Sequence, residues 1–192
     1  MMVSKVLIIL LLAISPMVLA DNFVDDGNLI IEYDNRSNGI INSDTTPLLQ
    51  VFGDGKIVVT QPWHRKDQGI YEGQLEQREL HKLLNQLVLF NVFDHRPDFV
   101  ESRAKSEIER IESANGISIH YSETVTTRFA FAIAGENAMR RSRWNNLQRV
   151  SGRIDSIDAL SQAAQTERLL QGLLTHSSLT RVTDATFGGL TQ

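Results

Sequence analysis

Apolar and polar positions alternate most clearly between Pro47 and Thr60. Leu49 and Val51, then Ile57 and Val59, recur at the two-residue period that lines one face of a strand. Gly53-Asp54-Gly55 lies between these runs, and its glycines offer the positive φ of a tight reversal, so the stretch is predicted as a β-hairpin. Tyr71-Glu-Gly-Gln-Leu75 reads as a short return strand. The period then changes. Leu80, Leu83, Leu84 and Leu87 follow the i, i+3, i+4, i+7 spacing of a helix with one buried stripe. Glu79 falls at N3 of a capping box whose cap, Glu76, is a poor one, and Leu75 is placed to staple onto Leu80. A sheet face and a helix stripe, both apolar and close along the chain, are expected to pack on each other.

These residues also carry a resemblance. Val51-Phe52-Gly53-Asp54-Gly55-Lys56-Ile57, followed by Tyr71-x-Gly73-x-Leu75-x-x-x-Glu79-Leu80-x-x-Leu83-Leu84, resembles the pattern of a loose group of uncharacterised exported bacterial proteins. In that group a V-[YF]-G-D-G-x-V hairpin precedes a G-x-L-x-x-x-E-L-x-x-L-L helix, often with Ser or Thr where this chain has Glu76. The shared residues are turn glycines and core leucines. The resemblance therefore implies a fold and an exported location, and transfers no catalytic residue.

Before the hairpin, Leu29-Ile-Ile-Glu-Tyr33 is short and rich in β-formers, and Asp34 to Gly39 is a turn-forming cluster, so a strand is predicted to end near Tyr33. After the helix, Phe90, Val92 and Phe93 read as core, and Asp94-His95-Arg96-Pro97 ends the element. Asp98 and Glu101 form a capping pair for a second helix, with Val100, Ala104, Ile108 and Ile111 on a thin stripe and Gly116 past its end. Glu101/Lys105, Arg103/Glu107 and Lys105/Glu109 are opposite charges four apart on that helix. Ile117, Ile119 and Tyr121 alternate, as do Phe129, Phe131 and Ile133, which predicts another hairpin. From Ala138 the spacing of Trp144, Leu147 and Val150, then Ile154 to Leu174, reads as helix, either one long helix or two with a break near Gly152. Ser177 to Gln192 reads as a mobile tail.

Met1 to Ala20 changes the setting. Lys5 is its only charge, an apolar run follows from Val6 through Ile14, and Val18-Leu19-Ala20 satisfies the small-residue cleavage rule, so a signal peptide is expected. The apolar run is short for a membrane span. The expected division is signal peptide 1–20, α+β domain 21–134, helical extension 135–176 and tail 177–192. The protein is expected to be exported, to the periplasm or the medium, with no transmembrane span after cleavage. The chain has no cysteine, which excludes a lipid anchor on Cys, disulfides, thiol nucleophiles and thiolate metal sites. Removing Lys5 leaves 18 basic against 23 acidic residues, a net charge of −5. An acidic chain is a poor partner for nucleic acid, whose binding rests on neutralising phosphates.

The chemistry-bearing residues form few patterns. The histidines at 64, 81, 95, 120 and 176 include no H-x-H or H-E-x-x-H pair, so no metal site and no cofactor is expected. The cluster after Tyr33 fails as a calcium loop, because Arg36 takes a ligand position and Thr45 stands where a bidentate Glu is required. No G-x-S-x-G elbow, Walker loop or dinucleotide fingerprint is present. Two groupings remain. Arg140, Arg141, Arg143 and Trp144 form a compact cationic set able to meet an anionic partner, and Trp63-His64-Arg65 places an aromatic beside two basic side chains. The competing reading of each is a solvated face or loop with its tryptophan turned inward.

The expected fold is thus α+β: an antiparallel sheet of β-hairpins packed against the Leu80 helix, with C-terminal helices. The expected function is an exported, non-catalytic protein of the bacterial envelope that binds a macromolecular partner or small ligand, either an envelope protein or an anionic surface. The alternative is a hydrolase whose site is assembled from residues distant in sequence.

Overall fold

The computed structural model describes residues 27–37, 46–62, 65–91, 94–116, 118, 123–132 and 138–182. The expected signal peptide, the strand at Ile117 to Tyr121, His120, Val92, Phe93, Trp63, His64 and the last ten residues lie outside them.

The chain folds as α+β. In order, the elements are β1 (Leu29–Ser37), β2 (Leu49–Phe52), β3 (Lys56–Gln61), β4 (Gly69–Gln74), α1 (Gln77–Phe90), α2 (Pro97–Asn115), β5 (Val125–Phe131), β6 (Arg140–Asn145), α3 (Leu147–Ser151), α4 (Asp158–Leu173) and β7 (Thr180–Arg181). The strands make one seven-stranded sheet in the order β6-β5-β1-β2-β3-β4-β7, with every neighbouring pair antiparallel.

The β2–β3 hairpin forms where the alternation places it. Leu49 pairs with Val59 and Val51 with Ile57, and all four are buried. Each such aliphatic contributes on the order of 1.5–3 kcal/mol when fully buried. Of the two turn glycines only Gly55 has a positive φ, at 88°. A Cβ there would also stand 2.7 Å from the Leu75 carbonyl oxygen, so both backbone conformation and space require glycine. Gly53 serves differently, donating its N–H to the Asn28 carbonyl. In α1, Leu80, Leu83 and Leu87 are buried in the same cluster as the hairpin residues, and the Glu79 carboxylate accepts the Glu76 N–H at 2.9 Å.

Four expectations change. First, β1 does not stop at Tyr33 but runs to Ser37, because β5 pairs with it residue for residue from Ile31 to Ser37. Ladder hydrogen bonds outweigh the turn preference of Asp34 and Asn35. Second, β5 has β1 on one edge and β6 on the other, neighbours that the alternation did not name, while the other arm of the expected hairpin falls outside the described residues. Third, Arg140–Asn145 is therefore a strand of the sheet and not the start of a helical extension at 135–176; α3 and α4 follow it and share the main core. Fourth, residues 177–182 are not a loose tail. Thr180 and Arg181 pair with β4, and Gly73 leaves the room that Ser178 and Leu179 fill.

In α2, Pro97 opens the helix after Arg96, in place of the Asp98/Glu101 cap, and Gly116 ends it at φ 64°. Of the three expected charge pairs, Lys105 and Glu109 meet at 3.9 Å, whereas Glu101 turns to β6 and Glu107 to Arg110. All four helices contribute to a core whose sheet side is Ile31, Tyr33, Leu49, Val51, Ile57, Val59, Phe129, Phe131 and Trp144. Strand alternation puts Glu32, Asp34, Arg36, Val58, Glu72, Arg128, Ala130, Arg141 and Arg143 on the opposite face. No helix is long and apolar enough to cross a membrane among the described residues.

Candidate functional site

The strand at Arg140–Asn145 divides the cationic set. Side chains alternate across a sheet, so Trp144, with Ser142 and Arg140, faces the helices, while Arg141 and Arg143 face the other way. Trp144 is completely buried and belongs to the core. The four residues therefore do not share a surface, a correction that follows from a period of 2 replacing 3.6. Arg65 is exposed and lies 3.4 Å from Asp67, far along the sheet in strand order from β6.

Arg141 and Arg143 join other residues. With Glu32, Asp34, Pro47, Arg128 and Ala130 they line a hollow of about 320 Å³ on the helix-free face, the one opposite the described helices. Asp34 is nearly buried at its base; Arg36 lies 2.8 Å from its carboxylate and Arg128 3.4 Å. Arg141 stands 3.9 Å from Glu32, a long and mostly exposed pairing of small energetic weight. Arg143 is directly opposite Arg128 across the ladder and has no ion pair among the described residues. Like charges placed opposite each other repel. Counting β1, β5 and β6 on this face, four arginines stand against two carboxylates, an excess of two positive charges on a chain of net charge −4.

A second polar cluster lies inside. Glu167 of α4 is fully buried. Its Oε1 accepts from Asn35 Nδ2 at 2.5 Å, Thr127 Oγ1 at 2.8 Å and the Tyr33 hydroxyl at 3.3 Å, while Oε2 accepts from Gln148 Nε2 at 2.8 Å. All four donors are neutral. Gln148 also donates to the Ala164 carbonyl and accepts from Arg168, so the cluster ties β1, β5, α3 and α4 together. A cavity of about 100 Å³ adjoins it, lined in part by Asn35, Thr127, Asn146, Gln148 and Arg149. Full burial and a complete donor set make this a structural knot. Its sequence signal is visible in retrospect: Glu167 occupies the stripe of Leu160, Ala164 and Leu170, where a charged side chain must find buried partners.

Burial, and then the neighbouring Glu167 carboxylate, push the Tyr33 hydroxyl far above the ordinary tyrosine pKa of 10. The neutral phenol is thus favoured by folding. A raised folded pKa means stability is intact below pH 10 and declines as pH rises beyond it, because the unfolded chain loses the proton first. Denaturant titrations between pH 9 and 11.5 are expected to show an alkaline slope of up to about 1.4 kcal/mol per pH unit from this group. Tyr33→Phe should flatten the slope; an identical slope in the variant removes Tyr33 as its source.

The three described histidines make hydrogen bonds within the fold. His95 Nε2 meets Gln162 Oε1 at 2.7 Å, His176 Nδ1 meets Ser178 Oγ at 2.8 Å, and His81 Nδ1 meets the Gln77 carbonyl at 2.8 Å. Among the described residues, no group of three His, Asp or Glu side chains is placed to hold a metal ion. No family model, curated protein or solved structure matches the chain.

Proposed function

We propose that this is an exported, non-catalytic protein of the cell envelope that binds an anionic partner on the helix-free face of its sheet, at β1, β5 and β6. The observation that carries this reading is the arginine excess around the hollow, and within it the uncompensated Arg143 held beside Arg128. Like charges on directly opposite residues of a ladder disfavour each other, and an arriving anion offsets that cost. The export half of the reading rests on the sequence pattern at Met1 to Ala20.

Arg141 and Arg143 are exposed, so their loss is separable from stability. The Arg141→Gln/Arg143→Gln variant is expected to lose most of its co-sedimentation with envelope fractions. Its melting temperature should stay within about 2 °C of wild type, as for other surface changes. Wild-type association should also weaken with added salt over the range where the Debye length shrinks to a few ångströms. Equal co-sedimentation of variant and wild type at low salt would refute the site.

A further inference from the structure

The same arginines sit on a strand that ends the sheet among the described residues. The Asn146 N–H donates to the Val125 carbonyl at 2.7 Å, and that parity turns the backbone groups of Ser142 and Trp144 toward β5. Arg141, Arg143 and Asn145 therefore turn theirs outward. The Asn145 N–H is taken by the Glu101 carboxylate of α2, which also accepts from Asn145 Nδ2 at 3.1 Å and closes that end of the edge. The N–H and C=O groups of Arg141 and Arg143 have no partner among the described residues. They form a window for four ladder hydrogen bonds.

From this geometry we infer that β6 takes an extended acidic segment of another chain as an eighth, antiparallel strand. The inference deepens the anionic-partner reading and rests on it. Backbone pairing supplies the hydrogen bonds, and side chains set the choice of partner. In an antiparallel addition the residues exchanging hydrogen bonds with Arg141 and Arg143 point their side chains onto the arginine face. Carboxylates at those two positions, with one residue between them, meet Arg141 and Arg143 and relieve the Arg128–Arg143 repulsion. A second copy of this chain is disfavoured there, because two-fold pairing of β6 with itself sets Arg141 opposite Arg143. Charge on an edge strand guards against self-association in this way.

The test uses the mature chain and an acetylated heptapeptide alternating threonine and glutamate, read by fluorescence anisotropy. Two further peptides carry backbone N-methyl groups, one on every glutamate and one on every threonine. Glutamate methylation should weaken binding by about tenfold, since it removes the donors facing β6, and threonine methylation should change it little. Arg141→Gln/Arg143→Gln should abolish binding. Equal sensitivity to both methylation patterns overturns strand addition while leaving an anion-binding face. Failure to bind the peptide, with phosphatidylglycerol vesicles bound by wild type and not by the double variant, overturns the inference and keeps the functional reading. Binding of neither probe overturns both.

Discussion

Replacing Glu167 by alanine is expected to destabilise the protein by about 3–5 kcal/mol, because four donors, two of them on buried and two on half-buried residues, lose this buried acceptor at once. Tyr33, Asn35, Thr127 and Gln148 all point at this carboxylate. The truncation also enlarges a cavity already present beside Gln148, which adds a packing loss. At roughly 2–4 °C per kcal/mol for a chain of this size, the melting temperature should fall by about 6–20 °C. Glu167→Gln separates charge from hydrogen bonding. Its amide oxygen can keep the three Oε1 bonds, but its amide nitrogen then faces the nitrogen of Gln148, so a loss of about 1–2 kcal/mol is expected. Chemical denaturation of both variants reads the difference. An alanine variant as stable as wild type would mean that Glu167 is not enclosed by these donors.

Trp144→Ala is expected to cost about 3–5 kcal/mol, the range for emptying a fully buried aromatic site. The emission of the buried Trp144 should vanish with it. Arg141→Ala, three residues away on the opposite face, should stay within about 0.5 kcal/mol of wild type. The contrast tests the strand directly. A single helical surface holding Arg140, Arg141, Arg143 and Trp144 would give a cheap tryptophan replacement, and a loss under about 1 kcal/mol would contradict the alternation seen here.

The candidate site was half legible. Arg141 and Arg143 stood out as charges, but their neighbours come from different strands, Asp34 and Arg128 being 94 residues apart. No local pattern joins such positions. The odd-and-even alternation of Thr127, Phe129 and Phe131 against Arg128 already marked Arg128 as outward-facing, yet only the β1–β5 register sets it over Asp34. Glu167 entered no expectation although it lies at the spacing of Leu160, Ala164 and Leu170, and its donors become known only through packing.

Sequence alone determined the pieces whose causes are local: the β2–β3 reversal at Gly55, the leucine stripe of α1 and the glycine stop after α2. Turn conformation, helix period and capping act over a few residues, so they can be read from a few residues. Tertiary structure decided that Arg-Arg-Ser-Arg-Trp-Asn is an edge strand, that β1 continues through a turn-prone cluster, and that Thr180–Arg181 closes the far side of the sheet. Neither the arginine-rich segment nor the Asp34–Ser37 cluster favours a strand by composition, and Thr180–Arg181 is too short to declare one. Each becomes one because a partner ladder satisfies its backbone and because one side chain, such as Trp144, is worth more buried than the local preference it overrides.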